Sequence, residues 1–340
     1  MPVQRSCPIC IRDDSVAVGQ APTTGEDLRI VVCKTCGLVF ANPMFSYQEK
    51  LQAGASVRAL HRSRSSEQSY EVAFQQSQRR AERCRDLLSR HILPGDRVLE
   101  IGSGDGALLA LLQGLGAAPT GIDPDHEAAR RVERELQVPV LTTSFEDADF
   151  AGVKFDAVVL SHLIEHLFEP VEILRTISGL LKTGGMLFVE TPNILRPKVG
   201  PRRLFSFAHN YHFSPRTMAL ALDKAGFHTV ALRVFNRDSF QMVARARAIG
   251  ETALVIAPEP WQYVASTIRA YKWHYWLSMQ FLWRKLPWLR HKMIYSLHQD
   301  LSGNALDGWL RPAPQERAIP ASHSPNFRKT KAKPPASTAA

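Results

Sequence analysis

Four cysteines near the start of the chain have the spacing of a metal site. Cys7 and Cys10 form one C-x2-C pair, and Cys33 and Cys36 form a second pair 22 residues further on. Two such pairs can place four thiolates around one tetrahedral zinc ion, and Gly37 suits the turn after the second pair. Because four thiolates leave no open coordination position, the pattern predicts a structural zinc ribbon. An iron–sulfur cluster with the same ligands and a set of unligated cysteines are the alternatives.

A glycine-rich turn, Glu100–Gly106, joins a predicted strand to a predicted helix. Glycines permit a tight turn and a close approach of the backbone to a ligand, and the helix N-terminus offers free N–H groups. Asp123 ends the next predicted strand, 19 residues after Gly104, where its carboxylate can accept hydrogen bonds from ribose hydroxyls. The pattern predicts a cofactor that contains a ribose, and a turn that binds no ligand is the plain alternative.

Two cofactors fit this turn. The residues Gly102-x-Gly104-x-x-Ala107 match the dinucleotide pattern, so NAD is one candidate. Glu100 favours the other, because its carboxylate would repel a pyrophosphate and would attract a cationic sulfonium centre and an α-amino group. Two consecutive strands after Gly226 also differ from the second half of a dinucleotide-binding fold. A sulfonium cofactor is therefore the preferred interpretation.

Short β-branched segments alternate with helical stretches from about residue 94 to 248, which is typical of βαβ units around a parallel sheet. The predicted strands are 97–101, 120–123, 138–142, 156–160, 186–190, 229–235 and 240–246. The predicted helices are 66–92, 107–112, 126–137, 162–182 (with Gly184-Gly185 as its stop) and 215–226. The expected fold class is α/β, a Rossmann-like doubly wound sheet that is mostly parallel with an antiparallel last strand. A small N-terminal zinc ribbon and a C-terminal helical segment complete it.

These motifs, in this order, resemble the class I S-adenosylmethionine (SAM)-dependent methyltransferases over about residues 93–248. Leu99–Gly106 is similar to the family's first motif, which cradles the methionine part of the cofactor. Ser144–Asp147 resembles the loop beside the adenine, and Phe155–His166 resembles the fourth-strand motif of the ubiquinone-biosynthesis-like branch. The resemblance implies a SAM site formed by Glu100, Gly102, Ser103, Gly104, Gly106, Asp123, Phe145, Glu146 and Ser161.

The front of the chain carries a second resemblance. Cys33–Pro43 looks like the zinc-binding start of bacterial sugar C-methyltransferases and related natural-product enzymes. Together the two resemblances imply a methyltransferase that modifies oxygen or carbon of a small molecule or glycan precursor. An NAD-dependent oxidoreductase and a non-catalytic zinc-ribbon adaptor on a degenerate methyltransferase fold are the alternatives.

Three polar residues follow the fourth predicted strand, at the sheet edge where ligands bind in open α/β folds. His162, Glu165 and His166 are expected to share one face of a helix that starts there, as candidates for general acid–base catalysis. Stabilisation of the helix start is the alternative role for Glu165 and His166.

The segment after the fifth predicted strand is expected to form a lid over the acceptor. Asn193 belongs to this segment, and His209 and His212 are its candidate bases or anchors for the acceptor. Surface histidines without a role in catalysis are the alternative. Four basic residues in the same segment would suit a phosphate or carboxylate on the acceptor, or are simply solvated: Arg196, Lys198, Arg202 and Arg203.

The net charge of +10 is unevenly distributed over the chain. Residues 311–340 contain six lysines and arginines against one glutamate, together with six prolines, and are expected to be disordered. Nucleic acid is therefore not an expected partner of the folded part. Because no apolar stretch is long enough to span a bilayer and the start has no apolar signal sequence, the expected location is cytoplasmic. Cys84, in a predicted helix, is expected to pack as a small buried hydrophobe.

Residues 261–298 contain five of the six tryptophans, four of the seven tyrosines and no acidic residue. A basic helix of this composition can make peripheral contact with a membrane surface, or it can pack as a helical cap or a dimer surface. Trp273, Leu277 and Phe281 lie opposite the main apolar face and favour packing on two sides. The expected organisation is a zinc ribbon (1–45), a helical connector (46–92), a methyltransferase domain (93–250), an aromatic helical segment (251–310) and a basic tail (311–340).

Overall fold

The computed structural model describes residues 3–21, 28–45, 67–197, 199–235, 239–247 and 256–277. The predicted tail 311–340, residues 278–310 of the aromatic segment, residues 46–66 of the connector and Lys198 lie outside these ranges. The strands are β1 (Ser15–Ala21), β2 (Leu28–Cys33), β3 (Val39–Ala41), β4 (Arg97–Ile101), β5 (Ala118–Ile122), β6 (Val140–Leu141), β7 (Phe155–Ser161), β8 (Leu181–Pro192), β9 (Tyr211–His212), β10 (Phe227–Val234) and β11 (Ser239–Ala246). The helices are α1 (Glu67–Leu88), α2 (Ala107–Gly114), α3 (His126–Leu136), α4 (Pro170–Leu180), α5 (Pro215–Lys224) and α6 (Trp261–Leu277).

The larger sheet confirms the predicted fold class. Its seven strands run in the order β10-β11-β8-β7-β4-β5-β6. Strands β4 to β8 pair in parallel, whereas β11 is antiparallel to both β8 and β10. The chain moves outward from β4 to β5 and β6, then returns to place β7 on the other side of β4. This reversal creates a switch point at the carboxyl ends of β4 and β7, which is where such sheets bind ligands.

The central strands form where the sequence has continuous apolar runs. In β7 the four residues Ala157–Leu160 are all at most 1% exposed, because helices cover both faces of a parallel sheet. Strand β4 has the predicted bounds. Helix α5 begins at the predicted capping residue: Ser214 and Thr217 cap each other through side chain and backbone, and Pro215 is the first helical residue.

Two helix boundaries differ from the prediction. No helix starts at His162, since the chain forms a turn after β7 and α4 begins only at Pro170. The backbone N–H of His162 donates to the carbonyl oxygen of Glu190 at 2.8 Å, and the φ of His162 is +53°, outside the right-handed helical region. Helix α4 ends at Leu180, and the expected stop at Gly184-Gly185 lies inside β8 because Leu181 already pairs with Phe155.

The smaller sheet connects the N-terminal region to the segment expected to form a lid. Its order is β1-β2-β3-β9, and β9 pairs Tyr211 with Phe40 and His212 with Val39. Cys7, Cys33 and Cys36 belong to the same hydrophobic cluster as Leu99, Ile101, Tyr211 and Phe213: the cysteines, the main sheet and β9 thus share one core.

Helix α6 has one buried face among the side chains that the structure describes. Val264, Ala265 and Ile268 are buried in the cluster that also contains residues of β1 and β2. Trp273 is 73% exposed, so the prediction that this residue helps to pack a second side is wrong. In the part of the chain that the structure describes, no helix is long and apolar enough to cross a membrane. Peripheral membrane contact by residues 261–298 stays a prediction.

Candidate active site

A cavity of about 990 Å³ lies at the carboxyl ends of β4, β5 and β7. Eight of the nine predicted cofactor-binding residues line it: Glu100, Gly102, Ser103, Gly104, Asp123, Phe145, Glu146 and Ser161. Gly106 is not a lining residue and has a different role. Its φ is +80°, and a Cβ added there would lie 2.7 Å from a methyl carbon of Val132. Glycine at this position therefore lets α2 start tightly against α3.

The Asp123 carboxylate is held at the end of β5 by two backbone groups. Its Oδ2 accepts a hydrogen bond from the N–H of Gly104 at 2.8 Å, and its Oδ1 accepts one from the N–H of Asp125 at 2.9 Å. These bonds connect the glycine turn to the neighbouring strand. They present a fixed carboxylate to the cavity, as recognition of a ribose requires.

Glu100 is buried and carries an unsatisfied oxygen. Among the described residues, its Oε2 has no hydrogen-bond partner. Burial, followed by the nearby carboxylates of Asp105 and Asp123, raises the pKa of Glu100 well above its ordinary value. A positively charged or hydrogen-bond-donating ligand would relieve both effects, whereas a diphosphate would add to the repulsion. The residues present thus fit a cofactor with an ammonium and a sulfonium group.

Helix α1 supplies one wall of the cavity, which the sequence analysis did not predict. Ser77, Arg80 and Ala81 line it. The Arg80 guanidinium donates to Ser77 Oγ at 2.7 Å, and Ser77 Oγ donates to Asp105 Oδ2 at 2.5 Å. Arg80 thereby brings a positive charge to the glycine turn. Because polar residues fill most of this helix, the sequence carries no signal that distinguishes Arg80 from its solvated neighbours.

The predicted acid–base residues separate into two groups. His162 and His166 line the cavity, whereas Glu165 and His212 do not belong to the lining. Glu165 lies behind His162, with its Oε1 3.5 Å from His162 Nδ1, and its Oε2 accepts a hydrogen bond from Thr191 Oγ1 at 3.0 Å. Burial opposes ionisation of Glu165, but His162, His166 and His209 outweigh it and lower its pKa to about 2.

Glu165 in turn shifts the pKa of His162 in the upward direction. Burial lowers the pKa of His162, but Glu165 and then Glu190 outweigh that effect, and the pKa is raised overall. His162 also has a φ of +53°, a left-handed conformation that is unfavourable for a residue with a side chain. Such strain at a cavity wall is typical of functional sites.

The other histidines form a chain that leads away from the cavity. His166 Nδ1 donates to the carbonyl of Ala208 at 2.9 Å, and its ring lies 4.8 Å from that of His209. The His209 ring lies 5.7 Å from that of His212, which packs against Phe205. Donor atoms of Glu165, His166 and His209 lie within 4.8 Å of one another.

Two further predictions for the acceptor segment find no support in the lining of the cavity. Asn193 is buried and accepts a hydrogen bond from the N–H of Leu195 at 3.0 Å, which gives it a structural role in the turn. Arg196 and Arg203 are absent from the described residues that line the cavity.

The four predicted metal ligands come together. The Sγ atoms of Cys7, Cys10, Cys33 and Cys36 all lie within 4.8 Å of one another, with Cys7–Cys36 and Cys10–Cys33 both at 3.4 Å. The Cys36 and Cys7 thiols and then the backbone N–H groups of Cys36 and Thr35 lower the pKa of Cys33. Neighbouring thiols raise the pKa of Cys7 and of Cys36, so the proximity of the four sulfur atoms, and not their pKa values, is what suits zinc.

The two cysteine turns have matching backbones. The N–H of Ile11 donates to the carbonyl of Cys7 at 2.8 Å, and the N–H of Gly37 donates to the carbonyl of Cys33 at 2.9 Å. Ile11 and Gly37 are both left-handed, with φ of +56° and +79°. At Gly37 a Cβ would lie 2.4 Å from the carbonyl oxygen of Glu259, so the predicted role of this glycine is confirmed.

The comparisons relate the part of the chain that forms this cavity to methyltransferases. Residues 74–232 match the model of a family described as a methyltransferase domain. A ubiquinone biosynthesis O-methyltransferase of Xanthomonas campestris is 39% identical over 114 residues, which are 32% of this chain and 47% of the relative. A protein of the same description from Caulobacter vibrioides is 36% identical over 129 residues, 36% of this chain and 51% of the relative. The chain thus spans about half the length of these relatives.

A solved structure is similar to about half of the chain. The CcbJ methyltransferase from Streptomyces caelestis superposes with a TM-score of 0.42 at 16% identity, covering 48% of this chain and 89% of that chain.

Proposed function

We propose that this protein transfers a methyl group from SAM to oxygen or carbon of a small-molecule or glycan-precursor acceptor. The observation that carries the proposal is the unpartnered Glu100 oxygen between the glycine turn and Asp123. An O-methyltransferase description of the similar proteins favours oxygen as the site of methylation.

The cofactor would be held by groups on three sides of the cavity. Asp123 would accept hydrogen bonds from the ribose hydroxyls, and Phe145 would lie along the adenine. Arg80 and Glu100 both line the cavity. Arg80 would pair with the carboxylate of the methionine part, and Glu100 would interact with its cationic part. SAM, when bound, supplies an electrophilic methyl group on sulfur.

The acceptor would lie between the histidines and an apolar wall. Leu167, Phe168 and Ile173 line this part of the cavity and would exclude water. His162 would take the proton of an acceptor hydroxyl, since it lines the cavity and its imidazole is held by Glu165. His166 would orient the acceptor by a hydrogen bond.

We also propose that the four cysteines hold one structural zinc ion. Four thiols within mutual reach, with backbone N–H groups directed at them, suit tetrahedral zinc and leave no position for substrate. Because β3 follows the second cysteine pair and binds β9, the metal would also stabilise the segment that carries His209 and His212.

The proposed activity is tested with SAM labelled with tritium in its methyl group. The protein is incubated with a panel of small phenols, hydroxy acids and sugar nucleotides, and we expect labelled product from at least one class. His162→Asn should lower the rate about a hundredfold or more, within the range for loss of a general base. His228→Asn, on β10, is the matched control and should retain the rate. Absence of transfer to every class by protein that binds SAM would contradict the proposal.

A further inference from the structure

Glu190 is a fully buried carboxylate at the cavity end of β8, and its exposure is 0%. The Cys84 thiol donates to its Oε2 at 3.0 Å, and the Ser239 hydroxyl donates to its Oε1 at 3.2 Å. Arg83 lies 3.6 Å from Oε1. Helix α1 and strand β11 therefore hold this side chain in one orientation, although no feature of the sequence marks it.

The side chain of Glu190 is directed at His162. His162 Nε2 lies 3.9 Å from Glu190 Oε1, and His162 Nδ1 lies 3.5 Å from Glu165 Oε1. The imidazole thus stands between two buried carboxylates. Among the described residues, its Nε2 has no hydrogen-bond partner, and the backbone N–H of His162 donates to the Glu190 carbonyl at 2.8 Å. Backbone and side chain together tie His162 to Glu190.

We infer that Glu190 is a positioning residue that orients the His162 imidazole and stabilises the proton it receives. The inference rests on the proposed function, because it needs an acceptor at the exposed face of His162. In the step, the acceptor oxygen bonds to the methyl carbon, the carbon–sulfur bond breaks, and its electron pair stays on sulfur. The hydroxyl proton moves to His162, and the resulting imidazolium lies between Glu165 and Glu190.

The charged groups around His162 shift its pKa in opposite directions. Glu165 and Glu190 favour the protonated imidazole, whereas the Arg80 guanidinium on α1 opposes it. The Arg83 guanidinium also forms an ion pair with the Glu190 carboxylate. Burial and the Glu190 charge raise the pKa of Cys84, so this thiol stays neutral and serves as a hydrogen-bond donor. Cys84 also accepts a hydrogen bond from Gln241 Nε2 at 3.2 Å. It is fully buried in a hydrophobic cluster, as predicted, and the hydrogen bonds are an additional role.

The test follows the titration of His162 itself by NMR of protein labelled with ¹³C in the histidine rings. The His162 signal is assigned by its loss in His162→Asn. We expect a midpoint above the ordinary value of about 6.5. Glu190→Gln removes the charge with little change in shape, and should lower the midpoint by roughly one pH unit. Ser239→Ala, which removes a neutral partner and leaves the charge, is the matched control and should shift it far less.

A folded Glu190→Gln protein with the wild-type midpoint would overturn the inference. Circular dichroism checks the fold. If Glu190→Gln does not fold, Glu190→Asp keeps the carboxylate but moves it one methylene group away from the imidazole, and the midpoint should fall by a smaller amount. A wild-type midpoint in that variant would overturn the inference. Binding of S-adenosylhomocysteine, measured separately by calorimetry, reports on the proposed function. A shifted midpoint in protein that fails to bind this compound would support the coupling of Glu190 to His162 and contradict only the proposed activity.

Discussion

The carboxylate of Asp123 accepts a hydrogen bond from the backbone N–H of Gly104 at 2.8 Å. This bond joins two features that are 19 residues apart in the sequence, the glycine turn and the acidic end of β5. It orients the carboxylate before any ligand binds, which reduces the entropy lost on binding.

Asp123→Ala should therefore weaken binding of S-adenosylhomocysteine about tenfold to a hundredfold, since hydrogen bonds to a charged group are lost. Titration calorimetry measures the change. Asp125→Ala is the matched control: Asp125 caps α3, so its loss should cost about 1 kcal/mol of stability and leave the affinity unchanged. Equal loss of affinity in both variants would contradict a direct role for Asp123.

Glu100 predicts a pH dependence of SAM binding. Because the pKa of Glu100 is raised by burial and by neighbouring carboxylates, a bound cation would lower it and release a proton. Affinity for SAM should then rise with pH until the free protein has lost that proton. Calorimetry at several pH values measures this, and Glu100→Gln should abolish the rise. A rise that persists in the variant would assign the effect to another group.

Gly106→Ala should destabilise the fold by about 2–3 kcal/mol, because it combines an unfavourable positive φ with a collision against Val132. Gly184 is the control that distinguishes backbone strain from the collision, since its φ is also positive (+76°) but nothing lies within 4 Å of an added Cβ. Gly184→Ala should cost only about 1 kcal/mol. Urea unfolding gives both values. Equal costs would show that close packing of α2 on α3 contributes nothing.

Ile11→Gly should stabilise the protein by roughly 0.5–1 kcal/mol. Ile11 is 72% exposed and has a φ of +56°, so its side chain adds backbone strain with little burial. Ile11→Ala, which retains a Cβ, should yield a smaller gain. Thermal unfolding of the two variants tests this account of the cysteine turn, and a lower melting temperature for Ile11→Gly would refute it.

Purified protein should contain one zinc ion per chain by mass spectrometry of the metal. Cys36→Ser should lose it and should unfold at lower temperature, because the cysteines share a core with Tyr211 and Leu99. Cys84→Ala changes a cysteine outside the cluster and should keep the metal. Iron in place of zinc would favour the alternative of an iron–sulfur cluster. Absence of any metal from freshly purified protein would contradict the zinc proposal.

The predictable part of this structure is the part encoded by short-range patterns. Strand β7 reads as a continuous apolar run because it is buried on both faces, and the glycine turn needs positive φ values that glycine adopts readily. The cysteine spacing predicted a cluster that forms as expected.

Long-range contacts explain what the sequence could not show. Strand β9 has two residues, and its partner β3 lies about 170 positions earlier in the sequence. No local pattern therefore predicts the pairing. Arg80 and Glu190 are polar residues of ordinary elements, and only the packing of α1 and β8 brings Arg80 to the cavity and Glu190 beside His162. A turn stands at His162 in place of the predicted helix, with a left-handed φ of +53° that no short-range pattern indicates.

The central claim is that the cavity binds a cationic sulfur donor and not a dinucleotide. Parallel calorimetric titrations of the full-length protein with SAM and with NADH test it most directly. The account predicts saturable one-to-one binding of SAM and no measurable heat from NADH. Saturable binding of NADH together with no response to SAM would contradict it.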